Sequence, residues 1–235
     1  MSLIECRDLA RNFGSTEALS GVNLDIEPGR IVGLLGPNGS GKTTMIKIAN
    51  GLLRPTSGSL TIAGMKPGKE TKAITAYLPD REFLPGYMKV SSIVDMYSDF
   101  FSDFRRDRAE EMLSRLGVDV NKRFSSLSKG NREKVQLILV MSREAQVYFL
   151  DEPIAGVDPA TRDYIIKVII SNYSEDAAVV ISTHLIEDVE KILDEVIFIQ
   201  EGRIILHENA DDLRSERGKS VDAVFREDFK WQANL

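Results

Sequence analysis

Along the first 35 residues, apolar positions gather into short runs, "SLIECRDL", "GVNLDI" and "RIVGLL", parted by turn signals at Phe13-Gly14 and Pro28-Gly29. Such runs between glycine and proline read as strands. The third leads straight into "GPNGSGKTT", and "KTTMIKIANGLL" behind it has helical spacing that ends at Gly51. From about residue 90 to residue 143 the pattern turns helical, in "SSIVDMYSDFF", "RRDRAEEMLSRLG" and "SKGNREKVQLILVMSRE". Strand and helix then alternate through "VYFL", "PATRDYIIKVII", "AAVVIST", "LIEDVEKIL" and "EVIFIQEGRIIL". Continuous apolar strands such as "VYFL" suit a parallel sheet covered on both faces. The pattern predicts an α/β core with an inserted helical lobe. In the tail, Val221, Ala223 and Phe225 alternate as a strand would, and Phe229 and Trp231 are expected to pack on the core.

A chain of 235 residues fits one large domain or two closely packed lobes. With no internal repeat, low-complexity tract or long linker, lobes are expected instead of separate domains. The formal charge of −6 and pI near 5.2 argue against a surface built for nucleic-acid backbones, so no nucleic-acid partner is expected. The basic cluster Arg105, Arg106 and Arg108 is interrupted by Asp107 and followed by Glu110 and Glu111, which reads as a solvated helix face. Cys6 is the only cysteine, so no internal disulfide is possible and a reducing compartment is the natural home. The opening "MSLIECRDLA" places Glu5, Arg7 and Asp8 where a secretion signal needs an apolar stretch. Apolar runs such as "IVGLL", "AAVVI" and "EVIFI" fall far short of the ~20 residues of a membrane-spanning helix. The expectation is a cytosolic chain whose membrane role, if any, is borrowed from a partner.

Gly36-Pro37-Asn38-Gly39-Ser40-Gly41-Lys42-Thr43 fits the eight-residue phosphate-loop pattern in full, between a strand and a helix. Glycines let successive N–H groups bend toward one anion, and the helix starting near Lys42 adds its positive dipole end. Lys42 is placed to reach the β- and γ-phosphates of a nucleotide, and the Thr43 hydroxyl to ligate Mg²⁺. The loop alone is shared by GTPases, kinases and many ATPases. "VYFLDE" narrows the choice, because a buried strand ends in Asp151 and Glu152 at the carboxyl edge where α/β sheets gather ligands. There Asp151 would hold Mg²⁺ through water and Glu152 would polarise the attacking water as general base. His184, in "STHL", could report the γ-phosphate to this chemistry, although a lone histidine is more often structural. "LSKGNREK" at 127–134 has two readings: Ser128 caps a helix with Lys129, Arg132 and Lys134 on its wet face, or the segment is half of a site completed by a second copy.

"GPNGSGKTT", "LSKGN" at 127–131, "VYFLDEP" at 147–153, "AGVD" at 155–158 and "STH" at 182–184 stand in the order and spacing of ATP-binding cassette (ABC) ATPases. The chain resembles that family from about Leu3 to Glu208. The resemblance implies a P-loop NTPase (RecA-like) core with an N-terminal antiparallel β region and an inserted α-helical lobe. It also implies a single ABC ATPase domain over 1–235, with a core lobe at about 1–89 and 144–235 and a helical lobe at about 90–143. ATP and Mg²⁺ are the implied cofactors, held by the loop residues above together with Thr44. Phe13 stands where the family places an aromatic ring on adenine, though by itself it is as readily a core residue. In this family two units pair head to tail, so Ser128 and Gly130 would face the γ-phosphate on a second copy or a sister ATPase, and Asp158 would link the two sites.

Three positions depart from the family pattern. Asp80, after "ITAYLPD" begins, replaces a glutamine that touches Mg²⁺ and senses the membrane subunit; a carboxylate can ligate Mg²⁺ directly, with Glu82 as the fallback. Lys129 replaces a glycine, and Asn131 shortens the usual glutamine. The resemblance is strongest to ATPase subunits of bacterial drug and peptide exporters, including those for phenol-soluble-modulin-type peptide toxins. It implies a peripheral protein at the cytoplasmic face of the cell membrane, receiving polytopic membrane subunits through the Asp80 loop and the helical lobe. The rival reading is a non-transport ABC ATPase, such as an iron–sulfur assembly scaffold subunit; a switch that no longer hydrolyses ATP is disfavoured by Glu152 and His184.

Overall fold

The computed structural model of the protein describes residues 2–174 and 176–230. Strands β1 (Ile4–Phe13) and β2 (Thr16–Ile26) form an antiparallel hairpin closed at Phe13 opposite Thr16. In β2, Leu19, Val22, Leu24 and Ile26 are buried while Glu17, Gly21, Asn23 and Asp25 are exposed, so the strand lays one face on a core. β3 (Ile31–Leu35) is buried throughout and passes through the glycine-rich loop into α1 (Lys42–Ala49). β4 (Ser57–Ile62), which the sequence pattern did not reveal, pairs with β1 and completes a three-stranded sheet ordered β2-β1-β4. The N-terminal antiparallel region is therefore built from β1, β2 and β4, and the third early strand belongs elsewhere.

It belongs to the large sheet. After α2 (Lys69–Ile74) come β5 (Thr75–Leu78), then α3 (Val90–Phe100), α4 (Arg106–Arg115) and α5 (Lys129–Met141), and then β6 (Val147–Asp151). α6 (Pro159–Asn172), β7 (Ala178–Thr183), the short α7 (Ile186–Val189), β8 (Glu195–Gln200), β9 (Arg203–Asn209), α8 (Ala210–Arg217) and α9 (Val221–Lys230) follow. The sheet order is β5-β6-β7-β3-β8-β9, parallel except for the last pair. Glu201 and Gly202 both have positive φ, 46° and 75°, which is the two-residue turn whose twist suits the β8–β9 hairpin. Side chains alternate across the sheet, so Tyr148 and Leu150 join the core on one face while Val147 and Phe149 join the core on the other. The first core carries the inserted helices, and the second carries α1 and the antiparallel sheet. Among the described residues no helix is long and apolar enough to cross a membrane.

Residues 221–225 are helical, which corrects the strand expected there: Val221, Val224 and Phe225 share a helical face, and this spacing outweighs the accidental alternation. Phe229 packs as expected, its ring centroid 6.2 Å from Phe198 and 4.1 Å from Phe225. Trp231 lies outside the described residues. Cys6 is fully buried, and burial pushes its thiol up to about 12, which makes it an inert core residue. In the basic cluster, Arg105 pairs with Asp107 and Glu144, Arg106 with Glu110 and Asp95, and Arg108 donates to Asn172.

The inserted helices are fastened to the sheet by Arg143, just beyond α5 and 4% exposed. Its guanidinium donates to the carbonyls of Lys72, Ala73 and Thr75 at the end of α2, forks onto Asp103 at 3.0 Å through both arms, and lies 4.0 Å from the centre of the Phe101 ring. All three guanidinium nitrogens are engaged, so deleting the side chain leaves a carboxylate and three carbonyls short of partners. Arg143→Ala should lower the free energy of unfolding by about 3 kcal/mol or more, and Arg143→Lys should restore little of it because an ammonium cannot reproduce the planar fork. Urea denaturation measures both; full recovery in the lysine variant would contradict this account.

Candidate functional site

Three parallel strands end together. Leu35 stands opposite Thr183, and Asp151 opposite Ser182, so the segments leaving β3, β6 and β7 meet at one sheet edge. Gly36 has no room for a side chain: an added Cβ would lie 2.3 Å from the Ile199 carbonyl oxygen and 2.7 Å from Ser40 Oγ. Gly41, the cap of α1 with φ 112°, would meet the Ala18 carbonyl oxygen at 2.6 Å. The loop is thus pressed against β2 and β8 with its far side open. That side bounds a cavity of about 200 Å³ lined by Ala18, Asn38, Gly39, Ser40, Gly41, Lys42, Thr43, Thr44, Asp80 and Glu152.

Lys42 is 5% exposed and donates to the carbonyls of Gly36 (2.7 Å) and Pro37 (3.1 Å), with Glu152 Oε1 at 3.8 Å. Burial holds the ammonium below the ordinary lysine range, opposed by the Glu152 and Asp151 charges. Asp151 is fully buried. Its Oδ1 accepts from Ser182 Oγ and from Thr43 Oγ1 (3.2 Å), while Oδ2 has no partner. Burial pushes this carboxyl above the usual range against the pull of those two hydroxyls, and the charges of Asp80 and Glu152 push the same way.

Glu152 occupies the left-handed region, φ 51°, its N–H donating to the Ser182 carbonyl at 2.9 Å. That backbone turns its carboxylate away from the strand and toward the loop. His184 Nδ1 lies 3.0 Å from both carboxylate oxygens, and Thr183 Oγ1 donates to Oε2 at 3.2 Å. The carboxylate fixes the ring with Nδ1–H toward Glu152 and leaves Nε2 for another partner. This arrangement can hold a base beside a phosphate cradle. The Thr43 hydroxyl and the unpartnered Asp151 oxygen fit Mg²⁺, which takes hard oxygen donors from one or two carboxylates and completes its shell with phosphate and water. Among the described residues no cluster of three or more His, Cys, Asp or Glu is placed to hold a metal ion.

Phe13, Ser128, Gly130 and Asp158 lie apart from the cradle. Phe13 is 45% exposed at the hairpin tip, does not line the cavity, and carries the Arg11 guanidinium 4.5 Å from its ring centre. Ser128 caps α5, accepting from the Asn131 N–H at 3.3 Å. Gly130 backs onto α6, where an added Cβ would be 3.5 Å from Thr161 Oγ1 and 3.8 Å from Asp158 Oδ2. Asp158 in turn caps α6 through the Thr161 N–H (3.0 Å) and hydroxyl (2.7 Å), and these bonds hold its carboxyl below the usual range. Lys129 donates to the Gly156 carbonyl at 3.3 Å. Asp80 is exposed and lines the cradle, whereas Glu82, the fallback metal ligand, does not line it and is engaged by Arg132 Nε at 2.7 Å. Arg132 is accordingly not a wet-face residue, and Lys134 lies over the Tyr164 ring.

Sequence reasoning missed the roles of Ser182, Thr183 and Gln136. Ser182 and Thr183 were visible in "STH" but overshadowed by the histidine. Gln136 carried a clearer signal, a lone amide inside the apolar run "VQLILVM"; it is 4% exposed and its Oε1 accepts the Phe83 N–H at 3.0 Å.

A glycine loop at a strand–helix junction, a buried carboxylate on its threonine and a second carboxylate braced by histidine define a nucleoside-triphosphate-hydrolase type of site. The family described as ABC transporter matches residues 19–155, and the chain belongs to that family. It is 33% identical over 212 residues to the uncharacterized ABC transporter ATP-binding protein YdbJ of Bacillus subtilis, covering 86% of this chain and 68% of that protein. It is 29% identical to the daunorubicin resistance ATP-binding protein DrrA3 of Streptomyces coeruleorubidus, covering 92% and 72%. The Nod factor export ATP-binding protein I of Rhizobium etli is 28% identical, with 92% and 71% covered. Among solved structures, an ATP binding subunit of an ABC transporter superposes with a TM-score of 0.86 at 25% identity, covering 96% of this chain and 99% of that one. The P-loop NTPase core expected from the sequence is the fold observed.

In the protein without nucleotide or metal, the ionised Asp151 is a burden on folding. A carboxyl raised in the folded chain adds stability below its unfolded value of 3.8 and loses it as pH rises through the folded value. Asp151→Asn should therefore raise the melting temperature at neutral pH by about 2 °C or more, and the gain should shrink toward pH 4. Scanning calorimetry in chelator across pH checks this, and a lower melting point in the variant at neutral pH would refute it.

Proposed function

We propose that the chain is the ATP-hydrolysing subunit of an ABC exporter, working as a head-to-tail ATPase dimer on separate polytopic membrane subunits at the cytoplasmic face of the membrane. The observation that carries the reading is Glu152, held by His184 and Thr183 at the mouth of the phosphate cradle, 3.8 Å from Lys42. Triphosphate oxygens would draw Lys42 off the Gly36 and Pro37 carbonyls, and Glu152 would take the proton of the attacking water. Bound Mg²⁺ would supply charge neutralisation at the β- and γ-phosphate oxygens, with Thr43, Asp151 and Asp80 as its protein donors. Ser128, Gly130 and the N-terminus of α5 lie outside the cradle of their own chain, which supports a composite site finished by a second copy or a sister ATPase, with Asp158 between the two sites and Phe13 on the adenine. Residues 90–143 would form the helical lobe of one domain spanning 1–235 and, with the Asp80 loop, receive the membrane subunits.

Export is supported by the relative named for Nod factor export and drug cargo by the one named for daunorubicin resistance. Peptide cargo rests on the sequence resemblance alone. Because γ-phosphate contacts would join both halves, blocking hydrolysis should trap the pair. Glu152→Gln should sediment as a dimer at saturating Mg-ATP and as a monomer in ADP; a monomer in both would count against the head-to-tail reading. Tagged Glu152→Gln recovered from detergent-solubilised host membranes in Mg-ATP should bring a stoichiometric polytopic membrane protein. Recovery with soluble proteins only would favour the iron–sulfur assembly alternative.

A further inference from the structure

Arg132 sits in the first turns of α5 and makes two contacts that point in different directions. Its Nη1 donates to the Leu127 carbonyl at 2.7 Å, the peptide unit directly before Ser128. Its Nε donates to Glu82 Oε1 at 2.7 Å, two residues beyond Asp80. One turn further along the same helix, the buried Gln136 accepts the N–H of Phe83 at 3.0 Å. The rungs 82–132 and 83–136 lay the loop after β5 along α5, since residues four apart share a helix face. The result is a short path from Asp80, which lines the phosphate cradle of this chain, to Ser128, which lies outside it: two residues of backbone to Glu82, two hydrogen bonds through Arg132, and the Leu127–Ser128 peptide.

We propose that Arg132 is a positioning residue that couples the Asp80 loop to Ser128, so that occupancy of one composite ATP site adjusts the half-site this chain presents to the other. The inference rests on the head-to-tail reading given above. Whatever moves Asp80 must also move Glu82, and a planar guanidinium bound at both ends passes that displacement to the Leu127 carbonyl. Lysine in its place could satisfy one acceptor but could not span both. Glu82 is 47% and Arg132 23% exposed at the side chain, so the ion pair itself adds little to folding. Its effect should therefore appear in assembly and not in melting.

The test uses full-length protein in the Glu152→Gln background at saturating Mg-ATP, with dimer dissociation read by sedimentation. Glu82→Gln, Arg132→Lys and Arg132→Gln should each weaken the dimer by about tenfold, as expected for loss of a hydrogen bond to a charged group. Glu82→Gln combined with Arg132→Gln should be no weaker than the worse single change. Binding of Mg-ATP to dilute monomer should stay within about twofold of the parent, because neither side chain lines the cradle. Asp80→Asn should shift dimerisation in the parent and shift it clearly less once Arg132 is glutamine, the remainder being its direct effect in the cradle, which a merely structural arginine does not produce. Equal Asp80→Asn shifts in both backgrounds, or unaltered dimerisation in the Arg132 variants, overturn the coupling while leaving the dimer intact. A parent that stays monomeric overturns the head-to-tail reading and this inference with it.

Discussion

The parallel register of β3, β6 and β7 is the constraint on which the site depends, because each functional segment is simply the next stretch of chain after one of these strands. Leu35 is level with Thr183 and Asp151 with Ser182, one residue below, so the three strands end within one residue of each other, and Gly36, Glu152 and His184 are the residues that follow. A slip of one residue in β6 would turn Asp151 to the other face of the sheet and separate it from Thr43. The two hydroxyls on Asp151 Oδ1, from α1 and β7, join three elements at that height. Burial of all five residues of β6 is what makes the register rigid, since any slip would expose apolar surface on both faces.

Charge around the cradle is unbalanced in a way that suits its ligand. Asp80 and Glu152 line a space whose walls offer one buried cation, Lys42, and the buried Asp151 lies behind Thr43. Asp151 feels this as burial plus two like charges, and the Ser182 and Thr43 hydroxyls only partly offset it. A divalent cation beside Thr43 would relieve the carboxylates, and the polyphosphate it accompanies would engage the lysine and the loop N–H groups. Asp80, exposed on the rim of the cradle, adds one more negative charge to this set.

Local motifs were legible wherever chemistry demands consecutive residues. The phosphate loop, the strand ending in Asp151 and Glu152, and the cap at Ser128 are all short patterns whose geometry follows from their own sequence. The parallel core was legible for the same reason, from unbroken apolar runs. Harder to read were features decided by distant partners. β4 begins "SGSLTI" and shows little strand signal until it docks on β1. Residues 221–225 carried two compatible periods, and only the core site beneath Val221 and Val224 selects the helix. Glu82 looked like a spare ligand because nothing nearby in sequence shows that Arg132 claims it.

Two arginines at opposite ends of α5 show how the inserted helices are tied to the rest. Arg143, beyond the C-terminal end, holds the carbonyl of Thr75, the first residue of β5. Arg132, near the N-terminal end, holds Glu82, four residues past the last residue of β5. Between them Val135 to Met141 is buried without interruption. The helix is therefore clamped along the whole length of one edge strand, not onto the strand that carries the phosphate loop. Any rotation of the inserted helices relative to the cradle must take β5 and the Asp80 loop with it or break one of the two clamps. Arg143 is buried and bonded through all three nitrogens whereas the Arg132 pair is partly exposed, so the N-terminal clamp is the weaker and the end bearing Ser128 is the freer to adjust.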